Sequence, residues 1–172
     1  MRTWKRLYRP GGTYFFTVVT ARREPWFGDP MHVQCLRYAL RETRASHPFA
    51  MVAFVILPDH LHCIWTLPDH EHDFSLRWAL VKKRCKARMI ALAPSMRGQP
   101  IWQPRFWEHH IRDERDFMRH LDYIHYNPVR HGYAASARDW PWSSFPKFVR
   151  GGAYDADWGQ VRPASVDGMS AE

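Results

Sequence analysis

The sequence predicts an α+β domain with an antiparallel sheet at its centre. Two observations carry this. A nine-residue apolar run, Phe49 to Leu57, is separated from a second apolar stretch, His60 to Leu67, only by Pro58-Asp59. That is the pattern of two strands joined by a tight turn. Around them lie three stretches with helical spacing of apolar residues, at 29–46, 74–93 and 113–127.

Each element follows from local chemistry. Tyr14 to Thr20 is rich in aromatic and β-branched residues and reads as a first strand. Asp29-Pro30 then opens a helix, with Asp29 as N-cap and Pro30 at the first helical position. Val33, Leu36, Leu40 and Thr43 form its inner face to about Ser46. Phe49 to Leu57, apolar at nearly every position, reads as a strand buried on both faces, and with its partner is expected at the sheet centre. Residues 68–73 form a polar loop. Phe74, Trp78, Val81, Cys85, Met89 and Leu92 make a helical core stripe. Ile101 to Ile111 reads as a further strand, interrupted near Pro104. Asp113 starts a third helix, which Pro128 is expected to stop at Asn127. Residues 1–150 are expected to form one domain. Gly151 onward lacks periodicity and is expected to be a flexible or loosely docked tail.

Composition narrows the function. The chain of 172 residues carries a net charge of +8, with basic side chains dominated by arginine. Residues 77–130 hold twelve Lys/Arg against five Asp/Glu, whereas the segment from Gly151 is net acidic. Aromatic residues make up 15%, including nine Trp. Concentrated arginine with abundant aromatics suits nucleic acid, because guanidinium grips phosphate and aromatic rings stack on bases. Arg77, Lys82, Lys83, Arg84, Lys86 and Arg88 crowd the second helix with no acid among them, a repulsion that a phosphate partner would relieve. Three scattered cysteines form no disulfide framework and fit a reducing cytosol. The longest apolar run is too short to span a bilayer, and no membrane association is expected.

Two stretches carry chemistry. In a strand, residues i and i+2 project from the same face, so His60 and His62 form a two-point grip suited to a metal ion. They equally suit two hydrogen-bonded histidines in a half-buried strand. The pair His70 and His72 has the same spacing but lies in an acidic loop, and reads as a solvated turn. On the third helix, Asp116, His120, Tyr123 and Asn127 form a polar stripe beside the apolar stripe Phe117, Leu121, Ile124. Tyr123 between His120 and Asn127 suits a nucleophile that attacks a metal-polarised phosphate. It also suits a packed tyrosine with its hydroxyl satisfied. Tyr126 is about 60° further round the helix.

Together these stretches are specific. Phe-Val-Ile-Leu-Pro-Asp-His-Leu-His-Cys-Ile-Trp-Thr-Leu at 54–67 and Asp-Glu-Arg-Asp-Phe-Met-Arg-His-Leu-Asp-Tyr-Ile-His-Tyr-Asn-Pro-Val-Arg-His at 113–131 resemble the single-tyrosine HUH transposases, the insertion-sequence-200-like family. Within them the chain is most similar to the REP-associated tyrosine transposases, found beside bacterial repetitive extragenic palindromes. The resemblance extends through Gly-Thr-Tyr-Phe-Phe-Thr at 12–17, Trp-Gln-Pro-Arg-Phe-Trp-Glu-His at 102–109 and Asp-Trp-Pro-Trp-Ser-Ser-Phe at 139–145. It implies a ferredoxin-like sandwich with the histidine pair on a central strand. It implies metal-dependent cleavage and rejoining of single-stranded DNA at a REP-type hairpin, with a cytoplasmic, nucleoid-associated location. Tyr123 would form a 5′-phosphotyrosine. His60 and His62 would ligate Mg²⁺ or Mn²⁺, with Asn127 where relatives often have Gln, and His120 as rival third ligand. Lys82, Lys83, Arg84, Lys86, Arg105 and Trp107 would contact DNA. The branch is expected to be monomeric, with a homodimer as alternative. A non-catalytic DNA- or RNA-binding regulator is the competing class, in which the histidines only pack. A small-molecule hydrolase fits the basic, aromatic segment poorly.

Overall fold

The computed structural model describes residues 8–170, so the basic, aromatic start of the chain at 1–7 lies outside the described residues. Strands β1 (Thr13–Val19), β2 (Ala50–Ile56), β3 (His60–Thr66) and β4 (Trp107–His110) form one antiparallel sheet in the order β2-β3-β1-β4. Helices α1 (Pro30–Ser46) and α2 (Phe74–Leu92) complete the order β1-α1-β2-β3-α2-β4, the ferredoxin-like topology. Helix α3 (Glu114–Arg130) covers the opposite face of the sheet, and a short α4 (Phe145–Arg150) follows.

Alternation along the strands sorts side chains into two cores. Tyr14, Phe16 and Val18 of β1 and Leu61, Cys63 and Trp65 of β3 face α1 and α2. Trp65 is sandwiched there, with Phe49 at 4.0 Å on one side and Trp78 at 4.2 Å on the other. Phe15, Val55 and Ile64 pack with Leu121 and Ile124 of α3 on the other side. Asp29, Asp73 and Asp113 cap the three long helices by accepting from Met31, Leu76 and Asp116 backbone N–H groups.

Four expectations change. Strand β2 lies at the sheet edge, and β3 and β1 are central. Its apolar run is sheltered instead by residues 142–144: Ile56 N–H donates to the Trp142 carbonyl and Ser144 N–H to the Phe54 carbonyl. The strand expected over 101–111 is only β4, with Trp102 making an isolated bridge to Thr20, because Pro104 breaks the ladder. Helix α3 runs through Pro128 to Arg130. Proline in a last turn forfeits only the bond to Ile124, and His131 N–H closes the helix on the Asn127 carbonyl. Beyond Gly151, where a loose tail was expected, Tyr154 and Val166 are buried against the α3 core. Tyr154 Oη and Ser165 Oγ both donate to the Asp122 carboxylate of α3.

Candidate nuclease site

The Pro58-Asp59 turn delivers His60 and His62 to the sheet face that meets α3. His60 pairs with Val19 and His62 with Thr17 across the β1–β3 ladder. Both imidazoles are buried, and their ring centroids lie 4.9 Å apart. Each ring is held by its Nδ1. His60 Nδ1 donates to Asp59 Oδ1 at 2.6 Å, and His62 Nδ1 bonds Thr17 Oγ1 at 2.9 Å. Both Nε2 atoms therefore point away from their supports, and neither has a partner among the described residues.

Asp59 is itself positioned. Its other oxygen accepts from Arg23 Nη1 at 2.9 Å, and its carbonyl accepts from Thr20. Arg22 and Arg23 both adopt left-handed backbone, φ 56° and 54°. Each such residue costs about 1–2 kcal/mol. Burial alone would raise the Asp59 carboxyl, but His60 and Arg23 hold it at about 2. Burial pushes the His62 imidazole well below its usual range, and the nearby His60, His131, Arg130 and Arg23 add to this. A neutral imidazole with Nδ1 anchored and Nε2 bare is the form that ligates metal.

Helix α3 brings the other half. Tyr123, 2% exposed, sets its ring edge-on to His62 at 5.2 Å. Arg130, two turns on, donates Nη1–H to Tyr123 Oη at 2.8 Å. Asn127, one turn after Tyr123, is fully buried, and neither amide atom has a partner among the described residues. His131 reaches the outer side of His60, 5.4 Å between centroids. Tyr126 turns elsewhere, toward Gly159.

His120 looks the other way along the sheet. Its Nδ1 is bonded to the Asp116 carbonyl at 2.8 Å, and its ring stacks on His109 of β4 at 4.5 Å. His109, Asp116 and His120 bring ligand atoms within 4.8 Å of one another. Part of their capacity is already used. Asp116 Oδ2 accepts from His109 Nε2 at 2.8 Å and from the Arg112 backbone and Nε. Burial opposes this charge, but Arg112 and His109 outweigh it and hold the Asp116 carboxyl well below the usual carboxylate range.

The expected DNA-contacting side chains are split. Trp107 and Arg105 flank the β4 edge, Trp107 on the His62 face and 37% exposed. Lys82, Lys83, Arg84 and Lys86 lie on α2, across the sheet from His60 and Tyr123. Lys82 donates to the Gln103 carbonyl and Arg84 to Thr43 Oγ1. The crowding expected on α2 is relieved from outside the helix. Arg77 is buried and meets Glu71 and two carbonyls, while Arg88 meets Glu42. The supports Thr17, Arg23 and Arg130 escaped the sequence reading. Thr17 alone had a signal, as a polar residue at an inward position of an apolar strand.

No family model matches the chain. A REP-associated tyrosine transposase of Escherichia coli K12 is 43% identical over 158 residues, covering 92% of this chain and 91% of that protein. A Haemophilus influenzae relative is 40% identical over 168 residues, covering 92% and 94%. A solved REP-associated tyrosine transposase bound to a REP hairpin superposes with a TM-score of 0.81 at 40% identity, covering 96% of each chain. A crystal structure from Deinococcus radiodurans, TM-score 0.52 at 20% identity over 71% of this chain and 95% of that one, shares the fold. With this likeness running over nearly its whole length, the chain belongs to the REP-associated tyrosine transposases.

Proposed function

We propose that this protein cleaves and rejoins single-stranded DNA at the foot of a hairpin, with Tyr123 as nucleophile and a divalent cation as cofactor. One observation carries the reading. His60 Nε2, His62 Nε2 and the Asn127 amide are buried with no partner among the described residues, and His62 meets the buried ring of Tyr123. Each buried polar group left unpaired costs about 1–3 kcal/mol, so three together call for an occupant. Two imidazole nitrogens and a carboxamide oxygen suit Mn²⁺, and Mg²⁺ where it is more abundant. Asn127 is favoured over His120 as third ligand because its buried amide has no partner among the described residues, whereas His120 is tied to Asp116 and stacks on His109. When bound, the ion supplies positive charge to a scissile phosphate.

The chain's own residues do the rest. Arg130 holds the Tyr123 phenol oxygen and orients it. Tyr123 Oη forms a bond to phosphorus while the P–O3′ bond breaks. The phenol proton passes to solvent, and the leaving oxygen takes one up as a 3′-hydroxyl. The 5′ phosphate stays on Tyr123, with the Arg130 charge beside it. Bond energy is conserved, so attack by a 3′-hydroxyl rejoins strands without ATP. The histidines and Tyr123 meet within one chain, which supports a monomeric site.

The hairpin is inferred from the relative solved with one. Arg105 and Trp107 would meet the single strand, and Lys82, Lys83, Arg84 and Lys86 the duplex phosphates. Among the described residues no helix is long and apolar enough to cross a membrane, consistent with a cytoplasmic, nucleoid-associated enzyme.

The test is covalent capture of a 3′-labelled hairpin oligonucleotide with Mn²⁺, read on a denaturing gel. Wild type and Tyr126→Phe should form the adduct. Tyr123→Phe and His60→Ala should not, and EDTA should abolish it. Capture by Tyr123→Phe would overturn the assignment.

A further inference from the structure

We infer that Trp107 is the open end of a base-stacking platform that takes one unpaired nucleobase of single-stranded DNA next to the catalytic face. The inference rests on the DNA-cleaving reading above and adds a subsite to it. Three rings form a parallel rail across β4 and α3. Trp107 lies 5.9 Å from His109 with 11° between planes, and His109 lies 4.5 Å from His120 with 16°. The edge of Phe15 supports the indole from the side, at 5.7 Å and 72°.

Polar bonds fix the rail in addition to the packing of Phe15. His109 Nε2 is bonded to Asp116, and Asp116 is fixed by Arg112 and by its own N–H on the Asp113 cap. Trp107 belongs to neither hydrophobic core and keeps 37% of its surface exposed. A large aromatic ring left this exposed on a polar network serves the core poorly. It serves a flat ligand well, since every base offers a π face.

Position identifies the ligand. Trp107 pairs with Thr17, and Thr17 pairs with His62, so the three stand in one cross-strand row. Two strand spacings separate Trp107 from His62, about 10 Å. Strand β4 ends the sheet, and Trp107 at its start is exposed. Arg105, exposed two residues before Trp107, supplies a cation near it in the chain for an adjoining phosphate. A strand that sets its scissile phosphate at the histidines thus lays a neighbouring base over Trp107.

The test measures binding of the full chain to a fluorescein-labelled oligothymidylate of about 16 nucleotides by anisotropy. Trp107→Ala should weaken binding about tenfold, and Trp107→Tyr much less. Thermal melts of both variants report whether the fold is intact. An oligonucleotide of the same length with abasic sites throughout should erase the difference between wild type and Trp107→Ala. Equal binding of the thymidylate by the two proteins, or a loss that persists on the abasic strand, would overturn the platform. Failure of all forms to bind DNA would instead count against the DNA-cleaving reading itself.

Discussion

Thr17→Val probes the histidine grip without touching a proposed ligand. Valine keeps the shape and β-branch of threonine, so the strand and its packing are retained. What is lost is the 2.9 Å bond from His62 Nδ1 to Thr17 Oγ1. His62 is wholly buried, so its Nδ1 has no water to turn to. A buried polar atom stripped of its partner costs about 1–3 kcal/mol of stability, about 2–4 °C in Tm per kcal/mol for a chain of this size. The ring also loses what sets its orientation and tautomer. Outer-shell partners of ligating histidines are worth about 10–100-fold in metal affinity, or about 1.4–2.8 kcal/mol at 1.4 per decade. The assay is covalent capture at increasing Mn²⁺. Half-saturation should rise by that factor, and the saturating rate should recover. Thr13→Val is the control: Thr13 bonds Thr66 at 2.9 Å on the same ladder, remote from the histidines. It should cost stability and leave the Mn²⁺ requirement alone. If Thr17→Val moves Tm but not the Mn²⁺ midpoint, His62 is a packed histidine and the metal reading fails.

Three further outcomes follow from the same geometry. Arg130→Ala should cut the capture rate by about tenfold or more, as loss of a charged hydrogen bond worth about 1.5–3 kcal/mol, while oligonucleotide affinity changes little and Arg130→Lys recovers part of the rate. Asp116→Asn should destabilise the fold at pH 7, measured by urea unfolding. The Asp116 carboxyl is lowered in the folded state, so its contribution is fully present above the unfolded value near 4 and fades as pH falls below it; the gap between variant and wild type should therefore close in acid, and a gap constant with pH would refute the charge-based account. Asp122→Asn weakens both bonds that tie Tyr154 and Ser165 to α3, and should make the chain beyond Gly151 cleavable by trypsin at Arg162.

What was legible in the sequence follows the range of the interactions concerned. Helix starts were readable because an aspartate cap acts within three residues, and the structure has Asp29 and Asp113 where the sequence put them. The β2–β3 hairpin was readable because Pro58-Asp59 separates two apolar runs. The place of β2 in the sheet was not. An apolar run reports that both faces are dry, not what dries them, and here the cover comes from Trp142 and Ser144, some ninety residues away. The end of α3 misled for a local reason: the proline rule describes a helix interior, and Pro128 sits where only one carbonyl is deprived.

The site divides the same way. Strand and helix periods put His60 with His62, and Tyr123 with Asn127, because each pair shares one element. That the two pairs meet is a property of β1: its register with β3 sets Thr17 against His62, and its Phe15 touches both His62 and Tyr123. The same ring of Phe15 also meets His120, at 4.8 Å. This explains how two histidine groups coexist on one face without merging. On one side of Phe15, Asp59 and Thr17 hold the two Nδ1 atoms; on the other, Asp116 holds His109 by Nε2 and His120 by Nδ1. A stripe that reads as a single polar face of α3 therefore serves two tasks. Its second half presents the tyrosine to His62, and its first half braces the strand that carries Trp107.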